Sequence, residues 1–170
     1  MKKGGAMRTL CLSLLTVFAL AASAAAQTAA PQTSAPMMKT FTSSAEVQAL
    51  IAKAKADRKG DAPTTVEPIL SLAPYHANLE YRPIPGPAAV HDTEDEVMYV
   101  IEGSGTITLG GQMVNPTRPN PTNQSADKIS GGDDRKLAKG DFLIVPHGLA
   151  HQITAVDGPA LVLMTLHMPQ

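Results

Sequence analysis

The chain holds a single cysteine, Cys11, and it sits within the most apolar stretch near the N-terminus. The opening MKKGGAMRTLCLSLLTVFALAASAAAQ places Lys2, Lys3 and Arg8 around the start of an apolar run, Leu10 to Ala22. That run is too short to span a bilayer comfortably. Ala24, Ala25 and Ala26 before Gln27 form a small-residue cleavage site, so residues 1–26 are expected to be a secretory signal peptide. A lipoprotein signal would set its cysteine after the apolar run, whereas Cys11 stands at its beginning. Cleavage removes the cysteine, and the exported chain is then expected to have neither disulfide nor thiolate chemistry. The expected localisation is periplasmic or secreted, with no membrane attachment after cleavage.

A clustered basic surface is also missing. Cleavage takes Lys2, Lys3 and Arg8 from the 14 basic side chains and none from the 15 acidic ones, leaving a net charge near −4. A nucleic-acid footprint would need such a clustered basic surface, so no nucleic-acid partner is expected. No internal repeat is evident. Residues 27–40, QTAAPQTSAPMMKT, hold few large apolar side chains and are expected to form a flexible linker. The remainder, residues 41–170, is long enough for one domain with a substantial core.

Ser43-Ser44-Ala45-Glu46 fits a capping box, and Val47, Leu50, Ile51 and Ala54 succeed it on one face. The pattern predicts one N-terminal helix, roughly 44–58, packed across a sheet. From Thr64 the pattern changes to short runs with period two. Strands are expected at 65–72, 75–82, 96–102, 106–109, 112–114, 141–145, 151–156 and 159–167. Gly103-Ser104-Gly105 is expected to turn the third of these back on the fourth as a hairpin. Residues 115–135 are polar and rich in turn formers, which predicts a long loop able to act as a lid. Many short strands with turn punctuation predict an all-β sandwich or barrel.

Two segments carry chemistry. The first, AVHDTEDEVMYVIEGSG, places four residues between His91 and Glu96, which opens a strand closed by Gly103. The second, GDFLIVPHGLAH, sets Gly140, Pro146, Gly148 and His151 in a strand, bend and histidine sequence. Both resemble the two motifs of the cupin superfamily. The resemblance implies an all-β double-stranded β-helix, a jelly-roll barrel, with one N-terminal α-helix added. It also implies that the bend points His151 into the barrel. The second motif is complete, while Ala89 stands where the first would carry its first histidine. The metal set implied is then His91, Glu96 and His151. Two imidazoles and a carboxylate suit non-haem Fe(II), and equally Mn or Zn. Loss of one ligand also fits a cupin that has abandoned its metal.

Tyr75–Arg82 alternates, with His76, Asn78, Glu80 and Arg82 on one face and Tyr75, Ala77, Leu79 and Tyr81 on the other. The apolar set is the expected inward face. In the opposite register His76 becomes a fourth ligand and Arg82 an anion clamp. Met98, Tyr81 and Arg82 are the expected pocket residues, and Tyr81 and His76 the candidate catalytic groups. His167 is in phase with Leu161, Leu163 and Thr165, but a histidine near a chain end is expected at the surface. His147 is expected to face solvent, and the acids Asp92, Glu94 and Asp95 to form a solvated loop.

The resemblance implies an exported metal-binding cupin acting on a small organic molecule as an oxygenase or isomerase. A non-catalytic small-molecule-binding cupin is the alternative. Family members often exchange edge strands, which implies a homodimer.

Overall fold

The computed structural model describes Met1 and residues 38–170. Apart from Met1, the expected signal peptide lies outside the described residues, as does most of the linker. Helix α1 spans Ser44–Asp57 and starts where the capping box predicts. The Ser43 hydroxyl accepts from the Glu46 amide, and the Glu46 carboxylate accepts from the Ser43 amide. Two of the amino-terminal donors that a helix leaves open are thereby satisfied.

Eleven strands succeed it: β1 (Thr65–Leu72), β2 (Tyr75–Arg82), β3 (Ala88–His91), β4 (Glu94–Leu109), β5 (Gln112–Val114), β6 (Thr117–Asn120), β7 (Asn123–Ala126), β8 (Lys128–Ser130), β9 (Asp133–Ala138), β10 (Phe142–Val145) and β11 (His151–Pro169). Their pairings are antiparallel. The result, among the described residues, is a jelly-roll barrel with one helix outside it. Two strands dominate. The carboxy-terminal half of β11 lies between β2 and β4, and its first residue, His151, pairs with both Ala89 of β3 and Leu109 of β4.

The expected hairpin at Gly103-Ser104-Gly105 does not form. Here β4 continues without a break through these glycines, and Thr106–Leu109 pairs with β9 and β11. Gly103 has φ +81°, and a Cβ there would meet the Ala160 carbonyl oxygen at 2.1 Å. Glycine lets the two strands come this close while β4 bends. Residues 115–135 likewise are not a loop. They contain β6, β7, β8 and the start of β9, polar because β6 is exposed throughout and β9 is exposed except at Leu137.

Alternation along β11 divides two cores. Leu161 and Leu163 join Met98, Val100, Ile107, Leu137, Val145 and Ile153 inside the barrel. Ala160 and Val162 join Ala54, Ile69, Leu79 and Tyr81 beneath α1. Directly paired residues share a face of the sheet. Leu161 pairs with Arg82, Leu163 with Glu80, Thr165 with Asn78 and His167 with His76. The polar side of β2 therefore faces the barrel interior, and its apolar side lies beneath the helix. This reverses the expected register. An outer helix needs an apolar face to cover, and β2 supplies it.

Candidate metal centre

His91 ends β3, held by the β3–β7 ladder opposite Asn123. Glu96 is the third residue of β4 and pairs with Val145 on one side and His167 on the other. His151 opens β11 just after the bend at Pro146–Gly148, where Gly148 has φ +74°. The bend is strapped to the first motif twice. The Gly148 amide donates to the His91 carbonyl at 2.8 Å, and the His147 amide donates to Asp95 Oδ1 at 2.7 Å. Those two bonds explain why both motifs must end together: each fixes the aim of the other's histidine.

The side chains of His91, Glu96 and His151 converge, and a fourth group joins them. His151 Nε2 lies 3.1 Å and His91 Nε2 3.5 Å from Glu96 Oε2. His167 Nε2 lies 3.7 Å from Glu96 Oε1. The His91 ring centroid is 5.3 Å from that of His151 and 4.7 Å from that of His167. Donor atoms of His91, Glu96 and His167 all lie within 4.8 Å of one another. His167 is thus not a surface residue. Its phase with Leu161, Leu163 and Thr165 is the signal in the sequence that places it inside.

Each imidazole has an acceptor near the nitrogen that faces away from Glu96. Asn123 Oδ1 is 2.9 Å from His91 Nδ1, and the Leu149 carbonyl is 3.3 Å from His151 Nδ1. Glu94 Oε2 is 3.3 Å from His167 Nδ1, although that buried nitrogen is not aligned for a hydrogen bond. Acceptors at Nδ1 favour the neutral tautomer whose Nε2 lone pair points inward.

Glu96 is 3% exposed, and its Oε2 has no hydrogen-bond donor in that tautomer state. A buried carboxylate oxygen facing only lone pairs is costly. A divalent cation among the four groups would satisfy it, so the residues fit such an ion. Without a cation, imidazole N–H groups take that role. Burial works against ionisation of Glu96, but hydrogen bonds from His151 and His91 outweigh it and hold the carboxyl well below its ordinary range. The Glu96 carboxylate in turn raises the pKa of His91, against the effect of burial.

The neighbouring acids are engaged elsewhere. Asp92 pairs with Arg118 and accepts from Gln124, and Asp95 binds His147 and Gln170. His147 is half exposed, outside the barrel. Met98 is buried in the barrel core next along β4 from Glu96. Tyr81 packs under α1 and lines no part of the site, which corrects its expected place in the pocket and as a catalytic group. Arg82 faces inward but is bound to Glu80, Nη2 to Oε2 2.7 Å, so it offers no free anion clamp. His76 lies across the β2–β11 ladder from His167 and lines a cavity of about 500 Å³ with His91 and His167.

The family model described as Cupin matches residues 86–168. Solved structures that the chain is similar to include KdgF from Halomonas sp., 17% identical, covering 66% of this chain and 86% of that one at TM-score 0.46. The Cnp3 cupin domain of Schizosaccharomyces pombe is 13% identical, covering 68% and 72% at TM-score 0.48. The 11S globulin of Wrightia tinctoria, whose structure reveals an auxin binding site, is 19% identical, covering 67% and 27% at TM-score 0.47. No curated protein matches.

Proposed function

Because the chain belongs to the cupin superfamily, we propose that it is an exported, metal-dependent cupin that transforms a small organic molecule. The observation that carries this reading is the convergence of three imidazoles on a buried carboxylate with an orphaned oxygen. His91, His151 and His167 would hold the ion through Nε2, and Glu96 through its carboxylate. A divalent ion there supplies Lewis acidity and, in the case of iron, oxygen activation. The reaction class is oxygenation or isomerisation.

The protein's own part is to bind and orient. Asn123 and the Leu149 carbonyl fix the inward lone pairs of His91 and His151. His76, exposed at the cavity mouth, is placed to take or give a proton at a bound molecule. A cupin without metal is favoured only by the alanine at position 89. His167, reaching the same cluster from β11, supplies the donor that this alanine lacks.

Export to the periplasm or beyond belongs to the same reading and rests on residues 1–26. So does a homodimer. Phe142 is 73% and Ile144 54% exposed on β10, and among the described residues β10 pairs with β4 alone. Exposed apolar edge strands need a cover.

The deciding experiment is elemental analysis of full-length protein purified without chelator or an immobilised-metal column. Close to one iron, manganese or zinc per chain, lost in Glu96→Gln and in His167→Ala, is the expected result. Folded wild-type protein that takes up none of the three on dialysis would overturn the proposal.

A further inference from the structure

Resting on the metal reading, we infer that the cavity beside His91 and His167 takes a small, uncharged, hydroxyl-rich molecule and discriminates against phosphorylated or carboxylated ones. The cavity's roughly 500 Å³ falls within the usual range of small-molecule sites, about 300–1,000 Å³. Its composition carries the inference. Apart from the two candidate ligands, it is lined chiefly by Pro68, Ser71, His76, Asn78, Glu94 and Asn123.

Among the described residues, no lysine or arginine lines this wall. Recognition of phosphate or carboxylate normally relies on such groups, arginine above all. The guanidinium on the interior face of β2, Arg82, is already engaged. Its Nε and Nη2 both reach Glu80 Oε2, at 2.8 and 2.7 Å, and the buried Thr165 hydroxyl donates to the other Glu80 oxygen at 3.4 Å. Freeing Arg82 for an anion would strand a buried carboxylate, which is strongly unfavourable. Glu94 adds a negative charge to the cavity wall itself. An incoming anion would meet that carboxylate with only the metal to attract it.

The groups that remain are amides, a hydroxyl and an imidazole. Asn78, Ser71 and His76 each offer both donor and acceptor capacity. A hydroxyl also gives and accepts, so adjacent hydroxyls match such a wall where an anion, which only accepts, does not. Asn123 contributes its amide hydrogens, since its Oδ1 is committed to His91. The apolar part of the lining is small, Pro68 and Leu70, and it offers no phenylalanine, tyrosine or tryptophan face for stacking a flat ring.

The test compares three probes with one carbon skeleton: sorbitol, sorbitol 6-phosphate and gluconate. Each is titrated calorimetrically into full-length protein, metal-free and cobalt-loaded, with cobalt stoichiometry measured separately. Sorbitol should bind about tenfold more tightly than either anion. Asn78→Ala should weaken it about fivefold while cobalt content stays unchanged. Tighter binding of either anion, no binding of any probe, or indifference to Asn78→Ala would each overturn the inference. Failure of the metal reading would show separately, as absent cobalt, and the metal-free titration would still report on the Ser71, His76 and Asn78 wall.

Discussion

His167 faces Glu96 directly across the β4–β11 ladder, with Nε2 3.7 Å from Oε1. On the proposed metal reading, the last strand supplies the imidazole that the first motif lacks at Ala89. Ala89 itself lies opposite His151 in the β3–β11 pair.

That relationship predicts compensation. His167→Ala should lower metal affinity by more than the roughly 10–100-fold that loss of an outer partner costs. Adding Ala89→His to His167→Ala should recover part of it, because residue 89 shares the His91 face of β3. Competition against a metal indicator measures both. Equal affinity for wild type and His167→Ala would show that His167 is a bystander.

Asn123 should matter through His91 alone. Asn123→Ala leaves the His91 ring unanchored at Nδ1 and is expected to cost about 10–100-fold in metal affinity. Asn123→Asp keeps an acceptor at that place and should restore most of the loss. Thermal stability of the metal-free variants, followed by circular dichroism, separates this from general unfolding.

The metal-free and loaded proteins should depend on pH in opposite senses. Glu96 is depressed below 4.5, so its contribution is present above that pH and lost as pH falls through its folded value. His91 is raised above 6.5, so its contribution is full below 6.5 and lost as pH rises through the raised value. In chelator, this pair should favour folding most between pH 4.5 and 6.5. With metal, protons compete for the imidazoles, and Tm should rise with pH from roughly 5 to 8. Parallel melting curves across that range decide it, and identical slopes would count against the site.

Gly103→Ala should be among the most damaging single changes outside the cluster. It combines a positive φ with a 2.1 Å approach to the Ala160 carbonyl. Strained backbone alone costs on the order of 1–3 kcal/mol, and the clash adds to it. Leu163→Ala, a cavity in the barrel core, should cost about 2–5 kcal/mol. Urea titration of both variants gives the comparison.

Part of the fold is legible in residue order alone. Gly140, Pro146, Gly148 and His151 state the second motif fully because a bend with fixed spacing is a local device. The helix is legible for the same reason, in Ser43 and Glu46. Relationships set by packing are not. Apolar usually means interior, which points the apolar face of β2 at the barrel, yet α1 makes a second interior outside it. Gly103 and Gly105 look like a turn in one dimension, but between two long strands they are points of close approach. The polar run at 115–135 looks like a loop because strands such as β6, exposed throughout, show no alternation. For His167 two signals conflict: its nearness to the chain end suggests the surface, while its alternation with Thr165 and Leu163 points inward. Alternation wins because the ladder to β4 extends to Pro169.

The span of β4 and β11 has a kinetic consequence. Glu96 and the bend at Gly103 lie on one long strand, and His151 and His167 stand toward opposite ends of the other. Neither strand can dock piecemeal and still bring these groups together. The ladders of β11 to β2, β3 and β4 join segments distant in sequence, a topology that slows folding. The four donors meet only when both strands are in register along their whole length. On the metal reading proposed above, capture of an ion would then be a late event on the folding route, and the appearance of a bound-metal signal after refolding would time the closing of the barrel itself.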